Sequence, residues 1–235
     1  MKSTSPLDLE IFPPFETFPK EGIKFLLQLK KNNNRDWFAK HKEEYEEFVK
    51  LPMLSLIATI KPKLENVALE MEADPKKSMF RIYRDTRFSK DKTPYKTHVA
   101  AVFHPRGHWQ NSAGYYLHIE PTVIYIGGGI YMPSSEQLKK IRKAIEENGK
   151  EFLSIVQSKT FVKNFKKIEG EKLQRVPVGF SPEHPLAEWL KHKQFYSGVS
   201  WKMEECYSKK FLEKVIVVYK DLLPFIRFLN EALSV

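Results

Sequence analysis

The chain has 235 residues, 42% hydrophobic and 13% aromatic, enough for a folded core and unlike a disordered or fibrous sequence. Its 39 Lys and Arg against 29 Asp and Glu leave a net charge of +10, a field that favours anionic partners without marking a site. A single cysteine, Cys206, excludes an internal disulfide framework, and with neither a signal-peptide pattern nor an apolar run of spanning length a soluble, cytoplasmic protein with no membrane partner is expected.

Residues 1–19 carry Phe12-Pro13-Pro14-Phe15 and Phe18-Pro19, the composition of an extended arm held down by its phenylalanines. Ile23, Leu26 and Leu27 then recur at helical spacing, and Asn32-Asn33-Asn34 ends that helix. Asn34 is placed to cap a second helix bearing Trp37, Phe38, Tyr45, Phe48 and Val49. Pro52 opens a third, with Leu54, Ile57 and Leu64 inward and Pro62 expected to kink or divide it.

From Met79 the period changes to two. Strands are expected near 79–88, 97–103, 114–120 and 123–131, joined by short links, which reads as an antiparallel meander. Gly127-Gly128-Gly129 has neither the dinucleotide nor the Walker spacing, so a bulged or closely approached strand is the better reading. Ser134 with Gln137 forms a capping box for a helix with Leu138, Ile141 and Ile145 inward, ended by Asn148-Gly149. Short helices follow at 151–156 and 160–165, then an irregular stretch to Pro185 and a helix over 186–192. A strand near 195–201 and a closing helix over 208–233, with a break expected at Pro224, complete the chain.

The densest chemistry lies in Phe80 to Lys96. Arg81, Arg84, Arg87, Lys90, Lys92 and Lys96 supply cations, Asp85 and Asp91 are the acids, and Tyr83, Phe88 and Tyr95 are interleaved. As a strand, 80–88 would put Phe80, Ile82, Arg84, Thr86 and Phe88 on one face and Arg81, Tyr83, Asp85 and Arg87 on the other. Thr93-Pro94 suits the start of a short helical turn. In one reading the guanidiniums form a clamp for phosphate or carboxylate. In the other they pair with Asp85, Asp91 and more distant acids and pin a loop. Asp85 is expected to pair with an arginine of its own stretch or with Arg35 and to be withdrawn from water, so that Asp85→Asn destabilises severely.

The candidate ligand-binding residues are Arg81, Arg84, Arg87, Lys92, Tyr95 and Lys96, with Asn34 and Arg35 adding donors from a helix start. Candidate catalytic groups are Asp85, Asp91, His98, His118 and Glu120. Strand alternation places Tyr116, His118 and Glu120 on one face, with His98 from a neighbouring strand, an arrangement suited to a general base beside an arginine clamp. Tyr83, Phe88, Tyr95, His108 and Trp109 are available to stack on bases, although no recognised nucleic-acid motif is present. Cys206 reads as a packed thiol. No metal and no cofactor is expected.

Asn32-Asn33-Asn34-Arg35-Asp36-Trp37-Phe38, the run from Arg81 to Thr97, Gly114-Tyr115-Tyr116, Glu120-Pro121, Gly127-Gly128-Gly129, Pro133, Leu173-Gln174-Arg175, Pro177-Val178-Gly179-Phe180 and His184-Pro185 together resemble the uncharacterised family catalogued as domain of unknown function 2461. The resemblance runs from the first helix to near the C-terminus and implies no established activity, cofactor or catalytic residue. Its pattern often has a basic residue where this chain has Val178, which implies weaker binding here of any ligand touched at that place.

The residues together predict one α+β domain over 1–235, an antiparallel meander packed by N-terminal and C-terminal helices. The function expected is binding of a phosphorylated or polyanionic ligand, a small molecule or a nucleic acid, around residues 81–96. The alternative is a hydrolase or transferase acting on a phosphate-bearing substrate with a His or Asp general base.

Overall fold

The computed structural model describes residues 12–109 and 111–235; the first part of the expected N-terminal arm, residues 1–11, lies outside them. Helix α1 (Lys20–Lys31) buries Ile23, Phe25, Leu26 and Leu29 and stops at Asn32. The Asn34 side chain accepts the Trp37 N–H at 2.9 Å and so caps α2 (Arg35–Lys40) as expected. After His41 come α3 (Lys42–Tyr45), a π-helical turn (Glu46–Lys50) and α4 (Leu51–Val67). Pro52 sits in the first turn of α4, where its missing N–H costs little. Pro62 does not divide that helix.

Strand β1 (Met71–Glu72) and α5 (Pro75–Ser78, capped by Asp74) were not legible in the periodicity, because each is shorter than one full repeat of any pattern. Next come β2 (Val99–Pro105), β3 (Gly114–Ile119) and β4 (Val123–Ile130). Helix α6 (Ser135–Glu147) begins at the Ser134–Gln137 capping box, followed by α7 (Gly149–Val156), α8 (Lys159–Phe165) and the short α9 (Ala187–Leu190). β5 (Phe195–Lys202), a 3-10 turn (Met203–Tyr207) and α10 (Phe211–Leu233) end the chain, and α10 continues through Pro224.

The fold is α+β, with a five-stranded antiparallel open sheet in the consecutive order β1-β2-β3-β4-β5. One expected member is missing. Residues 79–88 make only two isolated antiparallel bridges, Met79 to Ala101 and Tyr83 to Tyr95. The segment turns back on itself after Arg84, so its hydrogen bonds are spent within a small hairpin rather than along the sheet. The expected helical turn at Thr93-Pro94 is absent for the same reason: Pro94 is extended against Arg84.

By internal packing the chain divides into two compact units. The first runs to Phe103 and adds Tyr116–Ile126 and Ser200–Ile216. Its core holds Phe18, Phe25, Leu29, Met53, Leu56 and Ile60, all essentially buried. Residues 12–19 are extended, with Phe15 and Phe18 buried; the Phe18 N–H donates to the Cys206 carbonyl at 2.9 Å. The second comprises His104–Tyr115, Gly127–Val199 and Val217–Val235. There the stacked rings of Tyr115 and Tyr219, 4.4 Å apart, sit in the core. Gly129 (φ 132°) brings its backbone against that of Phe195, and a Cβ would lie 2.1 Å from the Phe195 carbonyl oxygen. The triple glycine is therefore a close strand approach, as its sequence suggests.

Candidate functional site

The basic stretch is a hairpin built in the first unit. Phe80 N–H donates to the Ala100 carbonyl at 2.9 Å and ties its base to β2. Arg84 N–H to Pro94 O (2.9 Å) and Lys96 N–H to Ile82 O (2.8 Å) close it around the Tyr83–Tyr95 bridge. The far side is fixed by a residue the sequence reading passed over. Asn33 donates through Nδ2 to Tyr95 O at 2.9 Å and accepts Tyr95 N–H on Oδ1 at 3.1 Å. Its amide thus replaces a strand partner and satisfies both backbone groups of buried Tyr95. The Tyr95 ring stacks on Phe38 at 4.1 Å, with Tyr83 at 5.5 Å. A second Asn in a run of three carries no distinguishing sequence signal; only the fold brings it against Tyr95.

The cations fall into two classes. Arg84 turns inward, its Nη1 donating to Asp91 Oδ2 (2.5 Å), to Thr93 O (3.1 Å) and to the Thr93 hydroxyl. Asp91 also accepts the Thr93 N–H (2.9 Å). That backbone bond, then Arg84, draws its carboxyl down to about 2. Arg87 grips Asp85 with two prongs, Nε to Oδ1 at 3.0 Å and Nη2 to Oδ2 at 2.7 Å, and this bond lowers the Asp85 carboxyl to about 2. The expected withdrawal of Asp85 from water does not occur. Its side chain is 47% exposed, because the pair lies on the solvent side of the hairpin, two residues apart, rather than against the core.

Arg35, Arg81, Lys90, Lys92 and Lys96 form the other class: among the described residues none has a carboxylate partner. Lys92 Nζ donates to Thr86 O and Lys96 Nζ to Arg81 O, each at 2.9 Å. Lys96 also lies 5.0 Å from the Phe80 ring centre. Burial, and then the Arg81 charge, hold its ammonium below the usual lysine range. Arg35 stands at the start of α2, whose six residues and already capped end make a weak anion site. Its charge acts instead on Tyr95, whose hydroxyl burial pushes upward and Arg35 pulls back.

Beside Lys96 the expected histidine group assembles. His98 and His118 stack with ring centres 4.3 Å apart. His118 Nδ1 is 3.0 Å from the Tyr116 hydroxyl and Nε2 is 3.6 Å from Glu120 Oε2. Burial, then His118 and Lys96, bring His98 down to about 4, and burial likewise lowers His118 against the opposing pull of Glu120. Both imidazoles are therefore neutral near pH 7. Among the described residues no three His, Cys, Asp or Glu side chains converge as a metal site.

His108 and Trp109 belong to the second unit; Trp109 is 43% exposed. Val178 there is fully exposed. Cys206 is buried and donates to Met203 O, and burial pushes its thiol up to about 12, far from nucleophilic. A cavity of about 350 Å³ opens in the second unit, lined by Lys140, Lys143, Glu147, Glu151, Phe228 and Glu231 among others. No helix among the described residues is long and apolar enough to cross a membrane. A family model described as a conserved hypothetical protein, DUF2461, matches residues 21–228. No curated protein matches the chain.

Proposed function

We propose, for a chain that belongs to the DUF2461 family of conserved hypothetical proteins, the binding of a phosphate-bearing or similarly anionic ligand at the Arg81–Lys96 side of the hairpin. One observation carries the reading. Asp91 and Asp85 occupy Arg84 and Arg87, whereas Arg81 and Lys96 have no carboxylate partner among the described residues, and Lys96, whose Nζ donates to Arg81 O at 2.9 Å, is close enough for the Arg81 charge to depress it. An anion there relieves that repulsion, and a guanidinium fork beside an ammonium suits phosphate oxygens. Arg84 and Arg87 accordingly leave the ligand set and become the clasp of the hairpin. Calorimetric titration with pyrophosphate at low salt tests this. Arg81→Gln and Lys96→Gln are expected to weaken binding at least tenfold while Arg87→Gln leaves it unchanged. Equal loss in all three, or no binding by the parent chain, refutes it.

A second reading, hydrolysis or transfer on a phosphate-bearing substrate, is favoured by the neutral His98–His118 pair beside Lys96. Tyr116 and Glu120 flank His118 and orient its ring, which leaves His98, neutral at pH 7 but a weak base because burial brings it to about 4, as the imidazole to test as general base. Turnover of an aryl phosphate that disappears in His98→Gln supports it; turnover retained by that variant removes His98 as base.

A further inference from the structure

The tip of the hairpin presents features that a bare anion does not use. Phe88 is 95% exposed, and between Arg84 and Lys92 it is the only apolar side chain. Tyr83, 53% exposed, is braced on its inner side by Tyr95 and Phe38, whose ring centres lie at 5.5 and 6.5 Å. Ile82 is buried and Arg84 half-buried, so the exposed row runs through Arg81 and Tyr83 along the extended part and continues with Asp85, Arg87 and Phe88 where the backbone turns. Residues two apart on an extended chain are separated by about 6.5–7 Å. The one acid of the row is neutralised by Arg87, whose guanidinium carbon also lies 5.8 Å from the Phe88 ring centre. Lys90 and Lys92, exposed and without carboxylate partners, flank the tip.

Cations alternating with exposed aromatic faces match a ligand that alternates phosphates with flat bases. Resting on the anion-binding reading above, we infer that the 81–92 hairpin is a surface for single-stranded nucleic acid. Phe88 and Tyr83 stack on bases, and Arg81, Lys90 and Lys92 meet the phosphates. The mode is sequence-tolerant, since stacking and charge carry it and no side-chain amide is offered to base edges at the tip. An anionic bilayer fits less well. It rewards several apolar anchors at one depth, whereas Phe88 stands alone among polar side chains.

The test is fluorescence anisotropy of the full chain with labelled oligothymidylate and oligouridylate of about 15 nucleotides, long enough to span one such site. Phe88→Ala is expected to weaken binding roughly 5- to 100-fold, the effect of one lost stacking platform, and Phe88→Trp to restore it. Lys90→Gln is expected to reduce the slope of log affinity against log salt by about 0.7. Since Phe88 is solvent-exposed, the variants keep the parent fold, which circular dichroism checks. Pyrophosphate titration runs alongside and is expected to be indifferent to Phe88→Ala. Oligonucleotide affinity unchanged by Phe88→Ala overturns the inference, as does Phe88-dependent binding to phosphatidylserine vesicles without oligonucleotide binding. Pyrophosphate binding with no oligonucleotide binding overturns it while leaving the anion site standing; loss of both removes the two together.

Discussion

Replacing Asn33 by Ala removes the clamp that holds the hairpin to the start of α2. Two hydrogen bonds disappear, Nδ2 to Tyr95 O at 2.9 Å and Tyr95 N to Oδ1 at 3.1 Å. Each is worth about 1 kcal/mol net, so the loss begins near 2 kcal/mol. Tyr95 is only 6% exposed, and its ring, stacked on Phe38, hinders water from replacing the amide, so the cost rises toward about 3 kcal/mol. For a chain of this size that corresponds to a fall in Tm of roughly 6–12 °C. The control is Asn32→Ala, whose amide donates to Gln28 O on an exposed surface and whose loss is expected to stay within about 0.5 kcal/mol. Urea unfolding gives the free energies, and amide exchange at Tyr95 and Lys96 reports whether the hairpin opens. A cost for Asn33→Ala no larger than for Asn32→Ala, with unchanged protection of those amides, refutes the reasoning.

Asp85→Asn is expected to leave the thermal midpoint essentially where it was, because the pair it breaks faces solvent; a large drop by calorimetry would restore the buried-pair reading. Gly129→Ala is expected to cost about 3 kcal/mol or to prevent soluble expression, since its Cβ meets the Phe195 carbonyl at 2.1 Å and its φ of 132° is foreign to alanine; near-parental urea stability contradicts this. Acid stability follows from His98, lowered from an ordinary 6.5 to about 4. Below 6.5 the unfolded chain takes up a proton that the folded chain refuses until about 4, so stability present above 6.5 is lost as pH falls through that window. His104 and His192, also brought to about 4 by burial, add to the loss. His98→Gln is expected to flatten this limb in part; a limb unchanged in urea midpoints between about pH 7 and pH 4 argues against a buried neutral His98.

Much of this architecture is legible in the chain itself. Period-two alternation through 99–105, 114–119 and 123–130 gives the strands their faces, and the face shared by Tyr116, His118 and Glu120 follows from that period alone. The Ser134–Gln137 box and the Asn34 cap are local chemistry, settled within four residues, and both form as read. The concentration of cations at 81–96 is likewise plain in the sequence, whereas the pairing of both acids with arginines is only one of two readings that the sequence allows.

What the chain alone leaves open is which arginine takes which acid and on which side of the surface. Arg84 pairs with Asp91, seven positions on, because the hairpin folds residues 91–93 back over it; Arg87 takes Asp85 because both point outward. Phe88 shares strand parity with Ile82, yet one is exposed and the other buried, since regular alternation ends where the backbone turns. Asn33 matters only because Tyr95, 62 residues away, arrives beside it. Local rules act over a few residues and are written in the sequence. Burial, ion-pair partners and the neutral state of His98 depend on groups brought together from far along the chain, and those only the tertiary structure decides.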